Sequence, residues 1–174
     1  MALHIVIDGY NLIRQSPTLS AMEYISTEEG RDGLLKLLAQ YKKIKPHKIT
    51  VVFDAAYGNS LAESKTRQRG ITIIFSRKGE LADEVIKRIA AKERERAIVV
   101  TSDNDIIDFA VRNDAATINS QEFEAKLTMA SYAEMKGGDV DNEESGWSKT
   151  TQKKGPARRL PRQGRKSRRK IRKL

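Results

Sequence analysis

The chain has 174 residues and a formal net charge of +10 at neutral pH, which suits one domain with an extension and is too short for a two-domain substrate cleft. The charge is lopsided: 13 of the 33 Lys and Arg residues, and no Asp or Glu, fall in residues 149–174, leaving 20 bases against 23 acids in residues 1–148. The absence of Cys excludes disulfide frameworks, thiolate nucleophiles and Cys-ligated zinc, and two His, His4 and His47, leave little material for a His-rich metal centre or a Ser-His-Asp triad.

A basic arm gains affinity by releasing counterions condensed on nucleic-acid phosphates, so this distribution points to a polyanion, nucleic acid first, as partner and away from a membrane. No run approaches 18 apolar residues, and strand-like sequence begins at Leu3, which leaves no room for a signal or transit peptide. The expectation is a cytoplasmic protein.

Taken in chain order, residues 3–7 form an apolar, β-branched run that ends on Asp8. Thr27 is a candidate cap for a helix whose stripe is Leu34, Leu35, Leu37, Leu38 and Tyr41. A second strand, 49–53, runs into Asp54, and a third, 70–75, is preceded by Lys65, Arg67 and Arg69. After Gly79 the spacing of Leu81, Val85, Ile86 and Ile89 predicts a helix. A fourth strand, 97–101, leads into Ser102, Asp103, Asn104 and Asp105 and a helix with Ile106, Ile107, Ala110 and Val111 inward. A weaker strand, 115–118, precedes a helix from the cap Ser120 to about Gly137 and Gly138, on which Met129, Tyr132 and Met135 read as core or as an interaction face. The strands show little alternation, as strands covered on both faces do, so the pattern is an α/β sandwich on a mostly parallel sheet. Residues 137–148 are a polar, acidic, flexible linker and 149–174 a basic tail; neither has the apolar area to offset its ordering entropy, and both are expected to be disordered.

Ligands of such sheets bind beyond the carboxyl ends of the strands, and here those ends are acidic: Asp8, Asp54 and Asp103, with Glu80, Asp83 and Glu84 entering the helix after the third strand. Each has a plain reading. Asp8-Gly9 is a turn pair, Asp54 ends a strand, Glu80, Asp83 and Glu84 suit a helix N-terminus, and Asp103 and Asp105 follow a Ser102 cap, with Asp105 the more structural. Recurrence at several strand ends lifts the set above these readings. On a helical wheel Asp83 flanks the apolar stripe, whereas Glu80 and Glu84 lie on the wetter side. Carboxylates brought together repel unless some protonate or a cation joins them, and all-oxygen ligands select hard dications, Mg²⁺ or Mn²⁺. Such ions generate hydroxide and neutralise a phosphoryl group, which indicates phosphodiester cleavage.

The string Val6-Ile7-Asp8-Gly9-Tyr10-Asn11-Leu12-Ile13 resembles the opening of NYN domains, a branch of the PIN-like nuclease superfamily. Val51-Val52-Phe53-Asp54-Ala55, Phe75-Ser76-Arg77-Lys78-Gly79-Glu80-Leu81-Ala82-Asp83 and Val99-Val100-Thr101-Ser102-Asp103 look like the later blocks of the bacterial YacP-like group. Four blocks in order, over about residues 3–130, are specific where any one is weak. The resemblance implies a PIN-like three-layer sandwich over 1–136, with a sheet of four or five strands ordered 3-2-1-4-5, and a ribosome-associated endoribonuclease that cleaves messenger RNA. It implies catalytic roles for Asp8, Asn11, Asp83 and Asp103, with Asn11 orienting metal water or phosphate; Asn11 equally suits a turn or helix cap. Asp8, Asp83 and Asp103 would bind Mg²⁺ or Mn²⁺, with Asp54, Glu80 and Asp105 completing the candidate ligand set. Leu81 stands where family members carry Thr.

For RNA binding the candidates are Arg77 and Lys78 beside the acids, and Arg158, Arg159, Arg165, Lys166, Arg168 and Arg169 in the tail. Tyr10 and Tyr57 are placed to stack on a base, though a lone Tyr more often packs. No small-molecule organic cofactor is expected. The rival readings are a non-catalytic RNA- or ribosome-binding adaptor with a vestigial acidic site, and a phosphatase-like enzyme with Asp8 as covalent nucleophile. The second is disfavoured because Tyr10 stands where that chemistry places a second acid.

Overall fold

A computed structural model describes residues 3–55, 63–135 and 162–174. Its sheet has six strands, β1 (His4–Asp8), β2 (Lys48–Phe53), β3 (Ser64–Gln68), β4 (Ile71–Phe75), β5 (Ala97–Val100) and β6 (Ala116–Ile118), in the spatial order β3-β4-β2-β1-β5-β6. All pairings are parallel except β3 with β4. The five strands anticipated from sequence therefore lie in the expected order, 3-2-1-4-5, and one antiparallel strand is added at the edge. That strand, SKTRQ, is mostly exposed and carries no apolar alternation to betray it. Arg69 and Gly70, both at positive φ, join it to β4 in a two-residue turn of the primed kind that matches strand twist. Lys42 Nζ donates to Gly70 O (2.7 Å) and ties the hairpin to the third helix, α3 (Thr27–Ile44).

Helices cover both faces. On one side α3 lies with α1 (Gly9–Gln15), α2 (Pro17–Ile25) and α6 (Ser120–Met135), and together they bury Leu12, Leu19, Leu34, Leu38, Tyr41 and Phe123 against Ile5, Ile7, Val51 and Phe53. On the other, α4 (Ala82–Glu93) and α5 (Asn104–Arg112) bury Val85, Ile86, Ala90, Ile106 and Ala110 against Val6, Val52 and Val99. The alternation of strand residues between these two apolar clusters is the three-layer arrangement itself. Of the first layer, α1 and α2 were not anticipated, although Ser16 capping Leu19 N–H and Pro17 at the first helical position are ordinary start signals. Helix α3 starts where expected, capped by Ser26 rather than Thr27. Met129 and Tyr132 are exposed on α6, so they are not core.

Of the basic tail, the last thirteen residues are described. They form α7 (Arg162–Ile171) and a terminal turn, with Leu174 only 6% exposed in the main core and Ile171 packed against it. Tyr41 Oη donates to Leu174 O (3.0 Å), and Lys166 Nζ pairs with Glu95 (2.9 Å) in the 3-10 turn before β5. Two apolar residues on one side suffice to dock a helix whose other side is solvated Lys and Arg. The linker at 137–148, and tail residues 149–161, lie outside the described residues, as does Tyr57. Among the described residues, no helix is long and apolar enough to cross a membrane.

Candidate active site at the carboxyl edge of the sheet

Parallel register brings the ends of β1, β2, β4 and β5 to one edge, and the chain turns sharply there. Gly9 opens α1 directly after β1, and a Cβ at this position would fall 2.3 Å from the Phe53 ring, so no larger residue fits without displacing that core ring. The tight turn makes Asp8 the N-cap of α1: its Oδ1 accepts from Asn11 N–H (3.3 Å) and its Oδ2 from Thr101 Oγ1 (3.3 Å) at the end of β5. Burial pushes the Asp8 carboxyl up to about 6, and the charges of Asp83 and Asp54 add to that push against the two hydrogen bonds.

Asp83, in the first turn of α4, is partly buried and held above the usual carboxylate range, first by desolvation and then by the charges of Asp103, Asp54 and Asp105, with Lys87 opposing. Glu80, which the wheel argument set on the wetter side, is instead buried, because it precedes the helix and the wheel does not apply to it. Asp54 Oδ1 accepts from Ala82 N–H (2.6 Å) and caps α4, whose own N-cap residue, Leu81, offers no side-chain bond. Asp103 caps α5 through Oδ1, which accepts from Asp105 N–H (2.8 Å), and its own N–H donates to Thr101 Oγ1 (3.1 Å). Thr101 therefore links Asp8 to Asp103, a role no sequence signal marked beyond its place at a strand end.

The remaining candidates lead elsewhere. Glu80 precedes α4 rather than lying in its first turn, and its oxygens are taken by Arg88 (2.7 Å) and Arg77 (3.5 Å). The Arg88 hydrogen bond, followed by the arginine charges, holds Glu80 below the usual range. Asp105 pairs with Lys87. Asn11 Oδ1 accepts from Ser102 N–H (2.9 Å) and Ser120 Oγ (2.7 Å), which ties α1 to the β5–α5 turn and to the start of α6. That is the fastening role of a cap-type Asn. Lys78 and Arg77 are exposed in the loop between β4 and α4, where Glu80 engages Arg77.

The tail cations fall at the opposite edge. Lys166 meets Glu95 ahead of β5, and Lys173 O approaches His47 ahead of β2 (3.4 Å), so α7 lies toward the amino ends of the strands, with Arg168 and Arg169 exposed. Arg158, Arg159 and the side chain of Arg165 lie outside the described residues. Tyr10, 8% exposed and edge-on to Phe53 at 5.0 Å, is packed rather than open to a base.

The donor chemistry at the acidic edge fits a hard dication: the groups are oxygens, and neighbouring acids raise the energy of ionising both Asp8 and Asp83, which a cation relieves. The expected cage does not form. Among the described residues no three His, Cys, Asp or Glu side chains group closely enough to hold a metal. Mg²⁺ is commonly held by one or two carboxylates, waters and substrate phosphates, and that is the arrangement these residues suit.

Comparison with known proteins adds three findings. The family described as "YacP-like NYN domain" matches residues 5–173. A Bacillus subtilis (strain 168) protein, described as "Uncharacterized protein YacP", is 36% identical over 86 residues, 49% of this chain and 50% of that protein, so the match spans about half the length of the relative. Crystal structures of Rae1 (YacP) from Bacillus subtilis superpose with TM-scores of 0.64 (28% identity, 78% of this chain and 79% of that one) and, for a tryptophan-to-leucine mutant of that protein, 0.65 (25% identity, 77% and 80%).

Proposed function

The chain belongs to the YacP-like NYN domain family, and on that footing we propose that it is a divalent-metal-dependent endoribonuclease, acting on RNA and on messenger RNA at the ribosome. The observation that carries the reading is the electrostatics of the carboxyl edge. Asp8 and Asp83 sit partly buried beside further acids, with their ionisation opposed, in the place where parallel sheets bind ligands. A fold of this kind tolerates that cost at a site that works with positive charge or with protons.

In this reading Asp8 and Asp83 would hold Mg²⁺ or Mn²⁺, which would supply an activated water and charge neutralisation. The rest is work of the chain. Asp54 fixes the start of α4 and with it Asp83; Thr101 holds Asp8 and the backbone of Asp103 in register; Asn11 locks the β5–α5 turn to α1. Asp103, exposed and capping α5 through Oδ1, would leave its second oxygen free to accept from water or RNA. The cationic α7, on the far edge, draws RNA or the ribosome by its phosphates without entering the reaction.

The test is incubation of the purified full chain with structured RNA, translating ribosomes and a generic phosphate ester, in Mg²⁺, Mn²⁺ or EDTA. Internal RNA scission that EDTA abolishes is expected, with the ester untouched. RNA binding without scission under every condition would leave the adaptor reading in its place.

A further inference from the structure

The carboxyl edge has two sides. Phe53 belongs to the core on the α3 side, whereas the next residue, Asp54, reaches α4 on the other. The acids occupy the α4 and α5 side. On the α3 side, Tyr10, Phe53 and Phe75 form a ring cluster, Tyr10 edge-on to Phe53 and Phe53 stacked on Phe75 at 5.6 Å.

Two arginines converge on these rings. The Arg14 guanidinium lies 5.5 Å from the centre of the Tyr10 ring. That of Arg31, from α3, lies 5.4 Å from the centre of the Phe75 ring, and its Nη1 donates to Tyr10 Oη (3.3 Å). Tyr10, on which both cations converge, lies two residues beyond Asp8 in the first turn of α1. Their own charges are poorly matched. Among the described residues Arg14, 67% exposed, reaches only Glu23 at 3.6 Å, and Arg31 hydrogen-bonds Tyr10 but pairs with no carboxylate. A half-buried guanidinium without an acid, laid over a ring and fixed by a phenol, is a preorganised fork for a phosphate. The rings cannot themselves read a base, because Tyr10 and Phe53 are buried; they set the direction of the arginines.

Resting on the nuclease reading above, we propose that Arg14 and Arg31 form a phosphate subsite that grips the backbone of single-stranded RNA beside the bond to be cut. The substrate strand then crosses the sheet edge from the ring side to the acidic side, and recognition at this subsite is independent of base sequence. Neither arginine carries a sequence motif, and only their convergence on Tyr10 brings them forward.

The experiment measures binding of a fluorescent single-stranded RNA to the full chain in EDTA over a range of salt, with scission in Mg²⁺ or Mn²⁺ followed in parallel. Arg31→Gln and Arg14→Gln are each expected to weaken binding on the order of tenfold and to reduce the log–log salt slope by about 0.7, the share of one phosphate contact. Arg31→Lys keeps the charge and is expected to restore the slope but only part of the affinity, since an ammonium lacks the planar fork. In turnover, KM rises while kcat is retained. Melting curves check folding; should Arg31→Gln unfold, the exposed Arg14→Gln and the charge-conserving Arg31→Lys carry the test. Folded variants with wild-type affinity and slope, in a protein that still cuts RNA, overturn the subsite alone. Wild-type protein that neither binds nor cuts RNA overturns the subsite and the nuclease reading together.

Discussion

At the carboxyl edge of the sheet, acidic side chains are partly buried close to one another, and the energy of ionising Asp8 and Asp83 is raised. Toward the amino edge, α7 carries a denser set of like charges, yet Lys166, Arg168, Arg169, Arg172 and Lys173 are all exposed, while Ile171 and Leu174 go inward and Lys170 is half-buried. The same chain thus treats two charge clusters in opposite ways. Exposed cations are screened by solvent and cost little, so their number reports on partners. Half-buried acids cost stability, so their persistence reports on chemistry.

Perturbing each edge separately sharpens this contrast. The largest stability effect is expected at the basic edge: Leu174→Ala should destabilise the protein by about 2–3 kcal/mol, the cost of a cavity beneath a docked segment, read by urea unfolding. A loss below about 0.5 kcal/mol would mean that α7 is not held as described. At the acidic edge the sign reverses. The folded Asp8 titrates near 6 against 3.8 for the free group, so its ionised form opposes folding above pH 6, and the penalty vanishes below pH 3.8. In EDTA at pH 8, Asp8→Asn should therefore stabilise by about 1–3 kcal/mol, with the gain shrinking as pH falls through 6 toward 4. Destabilisation by Asp8→Asn at pH 8 would break the comparison.

Two smaller changes return to α7. Tyr41→Phe removes the hydrogen bond to Leu174 O and should cost about 1 kcal/mol. Lys166→Ala breaks an exposed pair with Glu95 and should change stability by less than about 0.5 kcal/mol, while lowering RNA affinity and its salt dependence. A large stability loss there would make the helix a structural element rather than a binding one.

How much of this was legible in the sequence differs by residue. The five core strands could be located because each is a buried apolar run, and their order came from the family resemblance, whereas β3 is polar and announces itself only by pairing with β4. Asp8 and Asp83 came forward from motif resemblance and from their places at a strand end and a helix start, whereas helical phase misread Glu80, which precedes the helix and is buried. The pull of Arg88 on Glu80 joins residues eight apart across the start of a helix, and the bond from Ala82 N–H to Asp54 joins residues twenty-eight apart. Neither contact has a local signature. Helix α7 was hidden by its own composition: eight cations in residues 162–174 outweigh two apolar residues in any estimate based on average hydropathy, yet those two meet a prepared pocket beside Tyr41.

The central claim is that the acids at the carboxyl edge do chemistry on RNA, and strand scission by the full-length Asp83→Asn variant tests it most directly. With folding verified by melting and Mg²⁺ or Mn²⁺ present, the variant should retain RNA binding and cut on the order of 10²–10³-fold more slowly than the wild type. Scission at the wild-type rate would contradict the account.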